Sequence, residues 1–184
     1  MPLAAGLRGI VNPDVVLPLT GNDGIELQET AREVDMRVRI VGLPTVFIAI
    51  RLESGDYLPN ISNGSWRQIC DYLIVVESGD RTHAVFVELK KTQSKKERPR
   101  EQLRRSLPLL KYLRSIWEIE SGSTLDERRL FVHYSILFEQ TSPKLAKQSV
   151  NVKPTTRMLP EEYKGITIRT FVGTPVPLAT LIGE

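Results

Sequence analysis

The sequence predicts an α/β domain built on a mixed central β-sheet flanked by helices, and three observations carry that reading. Apolar runs rich in Val, Ile, Leu and Phe recur at residues 45–52, 72–76, 84–87, 128–139 and 165–172, the composition of strands covered on at least one face. One long stretch opening at Pro99 spaces Leu103, Leu107, Leu110 and Trp117 as the packing face of a helix. Between two of the apolar runs, Glu77-Ser78-Gly79-Asp80-Arg81 is a turn signal, which reads as an antiparallel hairpin.

Taken in order, residues 1–24, with Pro2, Pro13 and Pro18 among glycines, predict an irregular lead-in. Residues 25–41 leave two readings open. Ile25, Leu27 and Ala31 permit a helix, whereas Val34, Met36, Val38 and Ile40 alternate with Asp35, Arg37 and Arg39 as in a strand. Gly42-Leu43-Pro44 turns the chain into the strand at 45–52. Pro99 suits the first turn of the long helix, and Pro108 predicts a bend or break near Leu107, because an interior proline removes a hydrogen bond. His133, inside the strand at 128–139, reads as a packed core residue. Residues 141–160 are polar and basic, with Lys144, Lys147, Lys153 and Arg157, and read as a surface loop or a second phosphate-contacting segment. After the last strand, Leu178, Leu181 and Ile182 are placed to cap the core or meet a partner chain.

Length and composition bound the function. At 184 residues the chain fits one domain spanning 1–184. A net charge of +3 and a pI near 9.1 lean mildly toward anionic partners. One cysteine excludes an internal disulfide framework and suits a reducing compartment, and Cys70, His83 and His133 alone make no zinc cluster and no Cys/His catalytic pair. The amino terminus lacks the pattern of a signal peptide, and no run approaches the ~20 apolar residues of a membrane span. A soluble, cytoplasmic protein with no membrane partner is the expectation.

The chemistry concentrates at the hairpin. Asp71 precedes one strand, and Glu88-Leu89-Lys90 ends the next, 17 residues later. With period-two alternation, Glu88 and Lys90 project from one face and Leu89 from the other. A turn centred on Gly79-Asp80 pairs position 71 with position 88, making the two acids cross-strand neighbours. Like charges so placed repel unless a cation lies between them, and Mg²⁺ prefers one or two carboxylates completed by water, carbonyl or phosphate oxygens. The alternative is structural: Asp71 caps a strand and Glu88 pairs with Lys90 or Lys91. Downstream, Lys90, Lys91, Lys95, Lys96, Arg98, Arg100, Arg104 and Arg105 face only Glu97 and Glu101 in acids, a local excess beside the acids where a phosphate backbone would lie.

The order Asp71, Glu88-Leu89-Lys90, then a helix carrying Gln102 resembles the PD-(D/E)XK phosphodiesterase superfamily over residues 65–118, with Cys70 where the motif name has proline. The resemblance implies a restriction-endonuclease-like core and a Mg²⁺-dependent nuclease, with Mn²⁺ as substitute. It further implies Asp71, Glu88 and the Leu89 backbone carbonyl as metal ligands, and Lys90 as the residue that positions or deprotonates water. Gln102 matches a glutamine kept near the site in some branches. Lys91, Lys95, Lys96, Arg98, Arg100, Arg104 and Arg105 are the expected nucleic-acid contacts. The family often adds an acid from its first helix, for which Glu26, Glu29 and Glu33 are the candidates here. The substrate expected is DNA rather than RNA, the partner a second copy or a larger nuclease assembly, and the setting restriction, phage defence or mobile-element processing. The alternative from the same resemblance is an inactive nuclease-fold module that binds nucleic acid or assembles a complex.

Overall fold

The computed structural model describes residues 1–21, 24–29, 36–52, 68–91, 97–138 and 156–183. It is mixed α/β. In chain order the described elements are α1 (Leu3–Ile10), β1 (Gly24–Glu29), β2 (Met36–Val41), β3 (Phe47–Arg51), β4 (Tyr72–Ser78) and β5 (Arg81–Lys90). They continue with α2 (Glu97–Ser121), β6 (Leu130–Phe138), β7 (Thr156–Arg157), β8 (Glu161–Tyr163), β9 (Ile166–Val172), β10 (Val176–Pro177) and α3 (Leu178–Ile182).

A seven-stranded sheet runs β3-β4-β5-β6-β9-β7, with β8 also paired to β9. β3, β4 and β5 form an antiparallel meander, and Gly79 takes a φ of 60° in the turn between the last two. The chain then returns through α2, so β6 lies parallel to β5 and β9 parallel to β6. A smaller sheet runs β1-β2-β10.

Alternation along the central strands explains the layers. Leu73 and Val75 of β4 and Phe86 of β5 pack in one apolar cluster with Leu3 and Leu7 of α1 and Leu103, Leu110 and Trp117 of α2. Tyr72, Ile74 and Val76, with Val85, Val87 and Leu89, belong to a second cluster with Ile25, Leu27, Val38 and Ile40 of the small sheet and Leu178 and Leu181 of α3. The central strands are therefore buried on both faces, which accounts for their near-continuous apolar composition.

Three expectations need correction or resolution. The lead-in is not irregular throughout: residues 3–10 form α1, whose Leu3, Ala4 and Leu7 are buried. Pro2 stands at its N-cap, where no backbone donor is needed. Gly6 is there for proximity, since a Cβ at that position would lie 2.2 Å from Trp117 Cδ1. Of the two readings for residues 25–41, the described parts are strands, β1 and β2 pairing from Gly24↔Val41 to Glu29↔Met36. The long helix does not break at Leu107 and runs from Glu97 to Ser121 through Pro108. Its apolar face, with Leu103, Leu109, Leu110, Leu113 and Trp117 buried, outweighs the hydrogen bond that proline removes.

Candidate active site

The β4–β5 ladder runs from Ser78↔Arg81 to Tyr72↔Val87, and one further step of that register sets Asp71 against Glu88. Glu88 and Lys90 share the parity of Phe86, so they lie on the α2 side of the sheet, while Leu89 packs in the opposite cluster.

Asp71 is held from several directions. Its Oδ2 accepts a 2.6 Å hydrogen bond from the Leu89 backbone N–H, and its own carbonyl accepts from Leu52 N–H at 2.8 Å. The two residues before it are fastened to α2. Gln102 Nε2 donates to the Ile69 carbonyl at 3.1 Å, and Cys70 N–H donates to Ser106 Oγ at 3.0 Å. Ser106, fully buried, in turn donates to the Gln102 carbonyl at 2.8 Å. On the other side, Tyr72 Oη donates to the Gln28 carbonyl at 2.6 Å and accepts from the Gln28 N–H at 2.9 Å, which ties the end of β1 to the strand that carries Asp71.

Glu88 is wholly buried. Lys90 Nζ stands 2.7 Å from its Oε1 in a charge-assisted contact, and Oε2 has no partner among the described residues. Burial, and then the charge of Asp71, push the Glu88 carboxyl up to about 8 against the pull of Lys90. For Lys90, burial works to lower the pKa, but Glu88 and Asp71 outweigh it and hold the ammonium above its ordinary value. Of the two roles left open for Lys90, the charged one fits this environment. The Cys70 thiol, fully buried, is pushed well above its ordinary value by that burial and stays protonated, so it is no nucleophile.

The other predicted residues divide. Gln102 is near the site through the chain it holds, its amide nitrogen being engaged by Ile69 and its Oε1 without a partner among the described residues. Lys91 and Arg98 are exposed. Arg100 pairs with Glu161 at 2.5 Å, Arg104 with Glu101 at 3.1 Å, and Arg105 stands 3.9 Å from the same glutamate. These three therefore brace α2, with Tyr163 Oη and Lys164 also on Glu101. Lys95, Lys96, Lys144, Lys147, Lys153 and Glu33 lie outside the described residues, and Arg157 is described only as backbone in β7. Of the remaining acids, Glu26 lies 3.5 Å from Arg37, whereas the charge of half-buried Glu29 raises both Glu88 and Lys90. The sequence alone does not mark Ser106 or Tyr72 as part of this region. Their partners lie 36 and 44 positions away, and no local signal marks such a contact.

Among the described residues, no three or more His, Cys, Asp or Glu side chains converge as a ready metal cage, and no helix is long and apolar enough to cross a membrane. Two carboxylates remain enough for Mg²⁺, which keeps several waters and dispenses with an all-protein cage. Comparisons with protein-family models, with curated proteins and with solved structures find no match to this chain.

Proposed function

We propose that this protein is a Mg²⁺-dependent nuclease that hydrolyses phosphodiester bonds of nucleic acid, DNA in preference to RNA. One observation carries the reading: Glu88 is completely buried opposite a second acid, with Lys90 at its Oε1 and its Oε2 without a partner among the described residues. A buried carboxylate is costly unless compensated, and one ammonium contact leaves this one under-served. A divalent cation held by Asp71 and Glu88 would remove the mismatch. The order of the strand after Asp71, the antiparallel strand of Glu88 and Lys90, and the helix of Gln102 supports the same family resemblance.

Bound there, Mg²⁺ would polarise the phosphate and lower the pKa of a coordinated water. The chain's own residues supply the rest. Lys90, held charged by Glu88 and Asp71 in the metal-free site, would orient water or offset charge on the phosphate. Lys91 and Arg98, both exposed, would contact the phosphate backbone in this reading. Gln102 acts by fixing the peptide before Asp71.

The test is incubation of the purified protein with plasmid, linear duplex, single-stranded DNA and RNA in Mg²⁺, Mn²⁺ or EDTA, beside Asp71→Asn and Lys90→Ala. Metal-dependent cutting that both folded variants lose is the expected result. Nucleic-acid binding with no cutting in any condition would replace the proposal with a non-catalytic module.

A further inference from the structure

A cavity of about 410 Å³ opens between α1 and the C-terminal part of α2, with Gly6, Gly9 and Ile10 on one side and Ile116, Trp117 and Glu120 on the other. Met1, 64% exposed, completes the lining. The cavity stands apart from the carboxylate pair. Trp117 follows Gln102 by fifteen positions on one helix, about 22 Å along its axis.

Two features of this cavity are unfavourable for folding, and neither is compensated among the described residues. The first is an indole. Trp117 is 2% exposed and its Nε1–H has no acceptor there, although a buried indole usually finds one. The pyrrole edge that carries this N–H is turned toward α1, since a Cβ on Gly6 would lie 2.2 Å from Cδ1 and 2.4 Å from Nε1. The same point lies 3.0 Å from the Met1 methyl, so the N–H sits at the cavity wall beneath a side chain that is free to swing aside. The second feature is Gly9. Glycine inside a helix is less stable than alanine, yet this backbone is helical and nothing lies within 4 Å of where a Cβ would stand. Neither conformation nor crowding calls for glycine at this position. What its missing side chain leaves is room in the cavity.

We infer that this cavity binds a small uncharged molecule with an apolar body and a hydrogen-bond acceptor, such as a carbonyl, that takes the Trp117 N–H. Ile10 and Ile116 would flank the apolar body, and the volume is of the order that holds small ligands. The charged side chain in the lining is Glu120, an exposed acid, so the lining offers no counter-charge to an anion. Water suits the wall poorly. An ordered buried water needs about two to four polar partners, and the buried side chains of the lining supply the indole alone.

Nuclear magnetic resonance on the whole chain tests the site with acetophenone, which carries a carbonyl, against ethylbenzene, which has a closely similar apolar body without one. The Trp117 indole N–H resonance, told apart from that of Trp66 by Trp66→Phe, is the reporter. Acetophenone should move it downfield in a saturable way and bind about three- to tenfold more tightly than ethylbenzene, the range for one net hydrogen bond. Gly9→Leu fills the cavity from a position with open space around it. With its folding verified by a cooperative thermal transition, that variant should bind acetophenone at least about tenfold more weakly. Equal affinity for the two probes, an indole N–H that shows no saturable shift with acetophenone, or undiminished binding by folded Gly9→Leu would each overturn the inference.

Discussion

Replacing Glu88 with Gln separates a functional carboxylate from a structural one, because the two roles predict opposite signs. Glu88 is raised from 4.5 to about 8 in the folded protein. A raised carboxyl binds more protons folded than unfolded, so its contribution is fully present below about 4.5 and is lost as pH rises toward about 8. At ~1.36 kcal/mol per pKa unit, the loss at about pH 7 approaches ~3 kcal/mol. Gln has the same shape and no charge to desolvate. Lys90, 26% exposed at its side chain, loses one partner but keeps Asp71 in range and can turn toward solvent, which trims the gain to ~1–3 kcal/mol. For a chain of this size that is a melting temperature higher by roughly 2–10 °C. Thermal unfolding followed in EDTA from about pH 4.5 to about pH 8 should show Glu88→Gln more stable at the alkaline end, the two curves converging at the acidic end. Added Mg²⁺ should then stabilise the wild type alone, by mass action on its folded state. A Glu88→Gln protein less stable than wild type at about pH 8 would refute the reasoning and make Glu88 an ordinary ion-pair partner of Lys90.

Three further outcomes follow from the same geometry. Because Glu88 holds a proton up to about 8, Mg²⁺ must displace it, and titration calorimetry should show affinity falling up to about tenfold per pH unit below that value, with proton release. Ser106→Ala should cost ~1–3 kcal/mol in urea unfolding by stranding the buried Cys70 N–H, and weaken Mg²⁺ binding ~10-fold by loosening the approach to Asp71. Unchanged Mg²⁺ affinity would limit Ser106 to stability. Gly6→Ala should destabilise by ~1–3 kcal/mol, since its Cβ would meet Trp117 at 2.2 Å, while Gly9→Ala, with open space around its Cβ, should stabilise by up to ~1 kcal/mol through helix propensity. Equal effects at the two glycines would show that α1 does not pack as described.

What could be read from the sequence was local and periodic. The turn at Gly79-Asp80 set the hairpin register, and alternation put Glu88 and Lys90 on one side and Leu89 on the other. What could not be read depends on distant partners. Residues 1–10 carry Leu3, Leu7 and Ile10 at helical spacing, but proline and glycine content argued for irregular chain, and only Trp117 explains Gly6. Arg100 and Arg104 look like phosphate contacts in a basic run. In the fold, Arg100 also engages Glu161, 61 positions away, and Arg104 a neighbouring glutamate on the same helix, contacts that the basic run does not announce. Pro108 is tolerated because the helix around it is anchored by burial, a tertiary effect that local propensity does not contain.

The small sheet orders its strands β1-β2-β10, so among the described residues β1 is an edge, with outward N–H and C=O groups that would suit pairing with another polypeptide. At Gln28 both groups are already engaged by a single phenol, that of Tyr72. An incoming strand would have to evict that hydroxyl and leave it buried without its partners, so the residue next to Asp71 also guards this border against unwanted β-augmentation.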